Sequence, residues 1–314
     1  MKKKKENILY ARETISFYMS HVKNYKIPYI YIAFSIPFAS LLFNTLIPYF
    51  LSRAIGSLSG FDQSTKNMLI WASVTTVFAF LFNLIGFKKL VKYEAKVVRD
   101  ITLDIATSLI NKDYTFFSNQ KVGSLTSKFN DLLNGFIQLQ DLVLMKTIST
   151  ILPFIVGVVL IANQSPVLAM IISLLIVIIF IQIRLGLKIR KPYRKQRKEM
   201  RSIITGEVAD SITNSLVVKT FSNERQEISH LNRQAEKLRI LYTKDISIAV
   251  IEGALRLLLT SGVQVIAIIV AIIQVKNGAI DVGAAIFALA YMQRVSAQLF
   301  QLGEIVNGYE QIFL

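Results

Sequence analysis

The sequence predicts an all-α membrane protein with six transmembrane helices and long helical extensions on the cytoplasmic side. Three observations lead there. The 314 residues are 53% hydrophobic and only 18% charged, with a mean hydropathy of +0.48, whereas soluble domains carry about 25% charged residues. The apolar residues gather in runs of bilayer length, because a hydrocarbon core of about 30 Å takes roughly 20 residues of helix. The basic residues, which give a formal net charge of +16, collect in segments that alternate spans would leave on one side.

Residues 1–26 form a cytoplasmic or interfacial segment ahead of a membrane domain over 27–314. Within it Ile15, Tyr18, Val22 and Tyr25 recur at helical spacing. Their stripe is expected to lie in the inner lipid surface as an amphipathic helix, with a helix packed on the protein as the alternative. A cleaved secretory leader is not expected, since the apolar run begins too far from the start, runs too long and lacks a small-residue exit.

The first span covers about Ile27–Leu51 and contains Pro28, Pro37 and Pro48. The second covers Met68–Phe87, the third Thr147–Ala162 and the fourth Val167–Ile183. Asn163-Gln-Ser-Pro166 is a turn-forming tetrapeptide, so spans three and four form a tight hairpin. The fifth is Leu257–Val275 and the sixth about Val282–Leu302, the latter interrupted by Gln293, Arg294, Gln298 and Gln301. Segments 1–26, 88–146 and 184–246 hold 7, 9 and 15 of the 36 Lys and Arg. Both termini are therefore expected on the cytoplasmic face of a plasma or inner membrane. The same placement accounts for the charge without nucleic acid, for which no binding module is visible. The run Lys188–Lys198 suits anionic lipid headgroups.

The two long cytoplasmic segments carry structure of their own. Lys88–Leu109 reads as helix, followed by a break through Gly123 and a second helix over about Ser124–Leu144. Helix continues from the fourth span through Glu207 to Val218, and resumes over Glu224–Lys244 after Ser222-Asn223. Each segment is a helical hairpin with a break at its tip.

At these tips the chain resembles the transmembrane domain of ABC exporters of the six-helix, type-1 family. Phe116-Phe-Ser-Asn-Gln-Lys-Val-Gly-Ser-Leu-Thr-Ser-Lys-Phe-Asn-Asp131 is similar to that family's first intracellular-loop signature, and Leu216-Val-Val-Lys-Thr-Phe-Ser-Asn-Glu-Arg225 to its second. Asn214 stands where the family usually has Gly, and Lys128 where Arg is commoner. The resemblance implies two coupling helices, Gly123–Asn130 and Val217–Asn223, that dock on a nucleotide-binding domain. Phe117, Gly123, Ser124, Leu125, Lys128, Val218, Lys219, Phe221 and Glu224 would make that contact; as an alternative, Phe117 and Phe221 merely close the hairpins. It further implies a second transmembrane subunit, identical or not, with ATP and Mg²⁺ held by the nucleotide-binding partner and not by this chain. The phosphate-cradling G-x-x-x-x-G-K-[ST] pattern occurs nowhere in the 314 residues. A nucleotide-binding domain is thus expected from a separate or downstream segment, family members running on where Tyr309–Leu314 lies.

No catalytic or metal-binding constellation is expected within the spans. There is no cysteine, and His21 and His230 fall in cytoplasmic segments as surface residues. Glu252 and Arg256, four apart, can neutralise one another near the inner interface or take a substrate role. Tyr291, Arg294, Gln298 and Gln301 share one face of the sixth span, which is costly against lipid and points to a water-lined translocation path. Asn44 and Asn83, with Thr76, are weaker candidates for that path, since single Asn residues also pair helix to helix. The expected function is ATP-driven export of an amphipathic lipid, peptide or drug-like molecule by alternating access. A non-transporting scaffold or receptor of the same fold is the alternative.

Overall fold

A computed structural model describes residues 2–57, 62–118, 122–222 and 224–312, which are helical almost throughout and contain no strand. In chain order the helices are α1 (Lys2–Val22), α2 (Lys26–Leu41), α3 (Ile47–Gly56), α4 (Gln63–Ile110), α5 (Tyr114–Ser118), α6 (Val122–Gln140), α7 (Ser149–Ala162), α8 (Pro166–Thr213), α9 (Ser215–Thr220), α10 (Glu224–Lys276) and α11 (Val282–Ile312). The 48 residues of α4 and of α8 and the 53 of α10 reach roughly 70–80 Å at 1.5 Å per residue. That is more than twice a bilayer's hydrocarbon thickness, so each carries a span and its extension as one rod.

Five continuous helical stretches are long and apolar enough to cross a membrane among the described residues: Ala11–Gly56, Gln63–Ile110, Lys128–Ala162, Pro166–Thr213 and Glu224–Lys276. They contain the first five expected spans. The sixth expected span lies in α11, which is helical but falls short of that apolarity because Gln293, Arg294, Gln298 and Gln301 sit in its middle. Trp71, Phe78 and Phe80 on α4 and Leu174 and Phe180 on α8 are exposed, as lipid-facing side chains must be.

The chain divides into two compact units, one of residues 1–173 with 264–314 and one of residues 174–263. In the first unit α2 packs on α4 and α7, and α3 on α4 and α11. Its core at the α1 end gathers Tyr18, Val22, Ile32, Tyr93, Val97, Ile101 and Phe136. Here the stripe on α1 departs from the expected lipid contact. Tyr18 and Val22 are buried inside the protein, Tyr18 donating its hydroxyl to the Leu132 carbonyl at 2.7 Å and setting its ring edge-on to Phe136. A buried hydroxyl needs a partner, and protein supplies the carbonyl that lipid lacks.

Prolines set the breaks in the first span. A π-helical segment, Leu42–Leu46, separates α2 from α3, with Pro48 at the start of α3; π-turns and prolines are the usual causes of helix kinks. Pro37 lies inside α2 and Pro153 inside α7. Proline offers no N–H to the carbonyl four residues earlier, and for Pro153 that carbonyl is Ser149. The Ser40 hydroxyl of α2 donates to it at 2.8 Å. On the other side Tyr291 of α11 brings its hydroxyl to the Pro153 carbonyl at 2.9 Å and the Phe154 carbonyl at 3.1 Å.

Gly157 gives the Tyr291 ring its place: a Cβ there would lie 2.1 Å from ring carbons. Gly157→Ala is therefore expected to lower stability by about 1–3 kcal/mol, the usual cost of overpacking. Gly206→Ala, with nothing within 4 Å of the added carbon, should be neutral or stabilising by up to about 1 kcal/mol in its helix. Unfolding of the purified chain in mixed micelles checks both; equal effects would mean that the ring contact does not constrain α7.

Candidate functional site

The second expected coupling tip lies in the unit of residues 174–263. α8 stops at Thr213, and not at Val218 as the sequence predicts. Asn214 leaves helical geometry and its side-chain amide donates to the Asp210 carbonyl at 3.0 Å, a local bond that competes with helix continuation. Six residues, Ser215–Thr220, then form α9, so the tip helix is shorter and earlier than Val217–Asn223. Ser222 adopts φ of 50°, the left-handed conformation that ends helices, and Asn223 lies outside the described residues. On this tip Leu216, Val217 and Phe221 are exposed, Phe221 by 77%. Lys219 and Glu224 are also exposed, and Val218 is half-buried.

Buried charge braces the hairpin behind that tip. Asp245 on α10 is fully buried between Arg190 at 2.9 Å and Arg197 at 2.7 Å on α8. One turn pair further along, Glu252 lies 3.7 Å from Arg190, and Gln182 donates to the Glu252 carbonyl at 2.7 Å while accepting from Arg256 Nε at 3.2 Å. Glu252 and Arg256 thus belong to a network across two helices rather than to a self-contained pair. Nearer the tip His230 meets Glu207 at 3.0 Å, and Ser211 donates to Glu227. The sequence reading missed this network. Its signal was the seven-residue spacing of Arg190 with Arg197 and of Asp245 with Glu252, which aligns two charges on each rod. An open cleft of 540 Å³ nearby is lined by Tyr193, Arg239, Thr243, Lys244 and Ser247.

The first tip belongs to the other unit. The free-standing short helix there is α5, Tyr114–Ser118, while Gly123–Asn130 form the opening turns of the 19-residue α6. This differs from the separate coupling helix expected, because the apolar spacing of Leu125, Phe129, Leu132, Leu133 and Phe136 continues without a break. Leu125 is half-buried and Lys128 exposed. The side chains of Phe117, Gly123 and Ser124 lie outside the described residues, as does the stretch Asn119–Lys121.

Polar contacts hold the rods that carry this tip. Tyr25 donates to Asp100 at 2.7 Å. That bond, then Arg99, hold the Asp100 carboxyl below the usual carboxylate range, and the same bond to Asp100 raises the Tyr25 hydroxyl. His21 lies 3.3 Å from Asp104. Glu94, cytoplasmic to the second span, keeps a buried carboxyl oxygen with no hydrogen-bond partner. Burial, then the nearby Asp141 charge, push it up to about 7.

The polar residues of the spans separate into two groups. Tyr291 is 1% exposed, buried against α7 and so apart from the face it was expected to share. Its ring needs apolar packing and its hydroxyl serves the Pro153 turn. Arg294 and Gln301 are exposed and Gln298 is half-buried, with Gln293 exposed beside them. Arg294 reaches α2's π-helical end and donates to Asn44 Oδ1 at 3.1 Å. The Asn44 amide in turn donates to the Ser40 carbonyl at 2.9 Å and hydroxyl at 3.0 Å. Asn83 is half-buried on α4, and Thr76 bonds within its own helix.

Long apolar rods, extensions braced by ion pairs and exposed apolar tips define a polytopic helical membrane protein. The family described as ABC transporter transmembrane region matches residues 30–299, which covers most of the chain. The protein belongs to that family and is a membrane transport subunit. No curated protein matches the chain significantly.

Asp245→Asn should cost about 1–3 kcal/mol, because it leaves the partly buried guanidinium groups of Arg190 and Arg197 without their carboxylate. Glu236→Gln, which loosens only the exposed Arg239 pair, should change stability by less than about 0.5 kcal/mol. Unfolding in mixed micelles separates the two. For Glu94 the folded state favours the protonated form, so this stabilisation is complete below the unfolded value near 4.5 and is lost as pH rises through about 7. Glu94→Gln should therefore raise the melting temperature at pH 8, by the equivalent of about 1–2 kcal/mol after solvent screening, and leave it unchanged at pH 4.5. An equal gain at both pH values would mean that packing, not charge, is responsible.

Proposed function

We propose that the protein is the transmembrane half of an ATP-driven exporter of the six-helix type, with α11 as the sixth span and both termini in the cytoplasm. It works beside a second transmembrane subunit, identical or not. Energy comes from ATP hydrolysis, with Mg²⁺, on a nucleotide-binding domain; this chain contributes the tips, rods and path. The observation that carries the reading furthest is the exposed apolar tip of Leu216, Val217 and Phe221 at the end of a charge-braced hairpin, at the position where the family's second loop signature falls. Exposed apolar groups of this kind mark interaction surfaces. Coupling contacts are assigned to Phe117, Gly123, Ser124, Leu125 and Lys128 at the first tip and to Val218, Lys219, Phe221 and Glu224 at the second.

A rigid rod turns a small rotation at its tip into displacement within the membrane. Closure of the docked domains would thereby switch the path between inward- and outward-facing states. Arg294, Gln298 and Gln301, with Asn44 and Asn83, line that path for an amphipathic substrate. Tyr291 sits behind it and holds α11 to α7.

Val217→Asp combined with Phe221→Asp tests the coupling. Both side chains are exposed, so the fold should keep its melting temperature. ATP-dependent transport by the complete transporter in vesicles should fall at least tenfold, with binding of the nucleotide-binding domain weakened in parallel. Unchanged binding and transport would favour the scaffold or receptor reading.

A further inference from the structure

Arg294 is the one formally charged side chain in the six expected spans; none of the segments 27–51, 68–87, 147–162, 167–183 and 257–275 contains Asp, Glu, Lys, Arg or His. Two other cations near the spans have carboxylates for company. Arg53 pairs with Asp281, and Arg256 shares its network with Glu252. Arg294 is hydrogen-bonded instead to a neutral amide, Asn44 Oδ1. α3 and α11 approach closely at Gly56 and Gly283. From there Asn44 lies 12 residues back along the first span and Arg294 11 residues forward along α11. At 1.5 Å per residue, and counted from the expected span ends Leu51 and Val282, Asn44 sits about 10 Å and Arg294 about 18 Å into a 30 Å hydrocarbon core.

A charge at that depth costs at least about 2.5 kcal/mol to insert against lipid, so it is retained where water in a polar path or a compensating group meets it. The guanidinium has five N–H donors in a planar fork that matches carboxylate and phosphate oxygens two at a time. Asn44 engages only its NH1 nitrogen. The amide cannot turn away easily, since its NH₂ is committed to Ser40 twice and the Ser40 hydroxyl to the Ser149 carbonyl. The cation is therefore held in position by neutral groups that do nothing to cancel its charge. Exposed Gln293 and Gln301 and half-buried Gln298 flank it and add neutral donors and acceptors, but no competing anion.

We infer that the transported molecule is an amphiphile with an anionic group, a phosphate or carboxylate, and that Arg294 binds that group while Asn44 and Ser40 aim the guanidinium. This rests on the exporter reading above, and specifies its substrate class. The anion belongs either to a membrane lipid headgroup or to a free amphiphile.

The complete transporter in phosphatidylcholine nanodiscs tests it by equilibrium binding. Pyrene-labelled phosphatidylglycerol against pyrene-labelled phosphatidylcholine forms one arm, and dodecanoate against dodecanol the other. In whichever arm carries the natural source, the anionic probe should bind about tenfold more tightly than its neutral counterpart. Arg294→Gln should bring that ratio close to one. Arg294→Lys, which keeps the charge without the fork, should retain part of it, and Lys237→Gln on the exposed side of α10 should retain all of it. Equal binding in the wild type in both arms, or a full preference surviving in Arg294→Gln, would overturn the assignment. Either result leaves the exporter reading to the tip substitutions. Conversely, silent tip substitutions with an intact anion preference would leave a receptor for an anionic amphiphile.

Discussion

A backbone carbonyl inside a bilayer has no water to turn to, so each must find a donor within the protein. Much of the first unit is arranged around one place where that requirement is strained. Pro153 withdraws the donor for the Ser149 carbonyl, and the Ser40 hydroxyl replaces it from a neighbouring helix. Ser40 also accepts the Asn44 amide, and Asn44 accepts Arg294. The Tyr291 hydroxyl closes the same region from the α11 side. Three helices far apart in sequence are therefore joined by polar bonds that lipid cannot supply, which fixes where α11 can sit and hence where its polar face points.

The extensions of the rods beyond the spans solve a different problem. Two long antiparallel helices lose the support of lipid once they leave the bilayer, and need contacts of their own to remain a stiff pair. α8 and α10 meet it with a fully buried carboxylate between two guanidinium groups. A buried ion pair contributes little net stability against an apolar substitute, but it admits one register only. Sliding one rod past the other by a turn would break both of the ion pairs that Asp245 makes. A register so fixed suits a lever whose apolar end must arrive at a defined place.

Much of this was legible in the sequence and some of it was not, for identifiable reasons. Membrane spans are read from composition over about 20 residues, a local property, and five of the six stand out by length and apolarity. The sixth escapes that criterion because Gln293, Arg294, Gln298 and Gln301 lower its apolarity. The α1 stripe was legible as a stripe, but periodicity reports that a face is buried and not by what. Tyr291 was grouped with Arg294 because spacings of 3 and 4 place residues near one face; the boundary between a buried and an open face falls between them, and only packing against Gly157 decides it. The helix break at Asn214 reflects a side-chain bond to Asp210, a local choice that helix propensity averages away.

The α8–α10 brace and the α2–α7–α11 region handle charge in opposite ways, and the contrast bears on function. Between α8 and α10, where the rods leave the membrane, cations and anions are matched across helices and the surroundings are closed. In the α2–α7–α11 region one cation is held by neutral groups alone and its face is open. Compensated charge fixes a structure, because any movement that parts the pair carries the full desolvation cost of both ions. Uncompensated charge held rigidly does the reverse: it lowers the free energy of any state in which an anion comes to it. In a protein that alternates between two openings, such a group favours the opening in which the anion can reach it and relinquishes that preference when the anion leaves. Under the proposed alternating access, an Arg294 that binds the substrate's anion would couple the presence of substrate to the equilibrium between the two states.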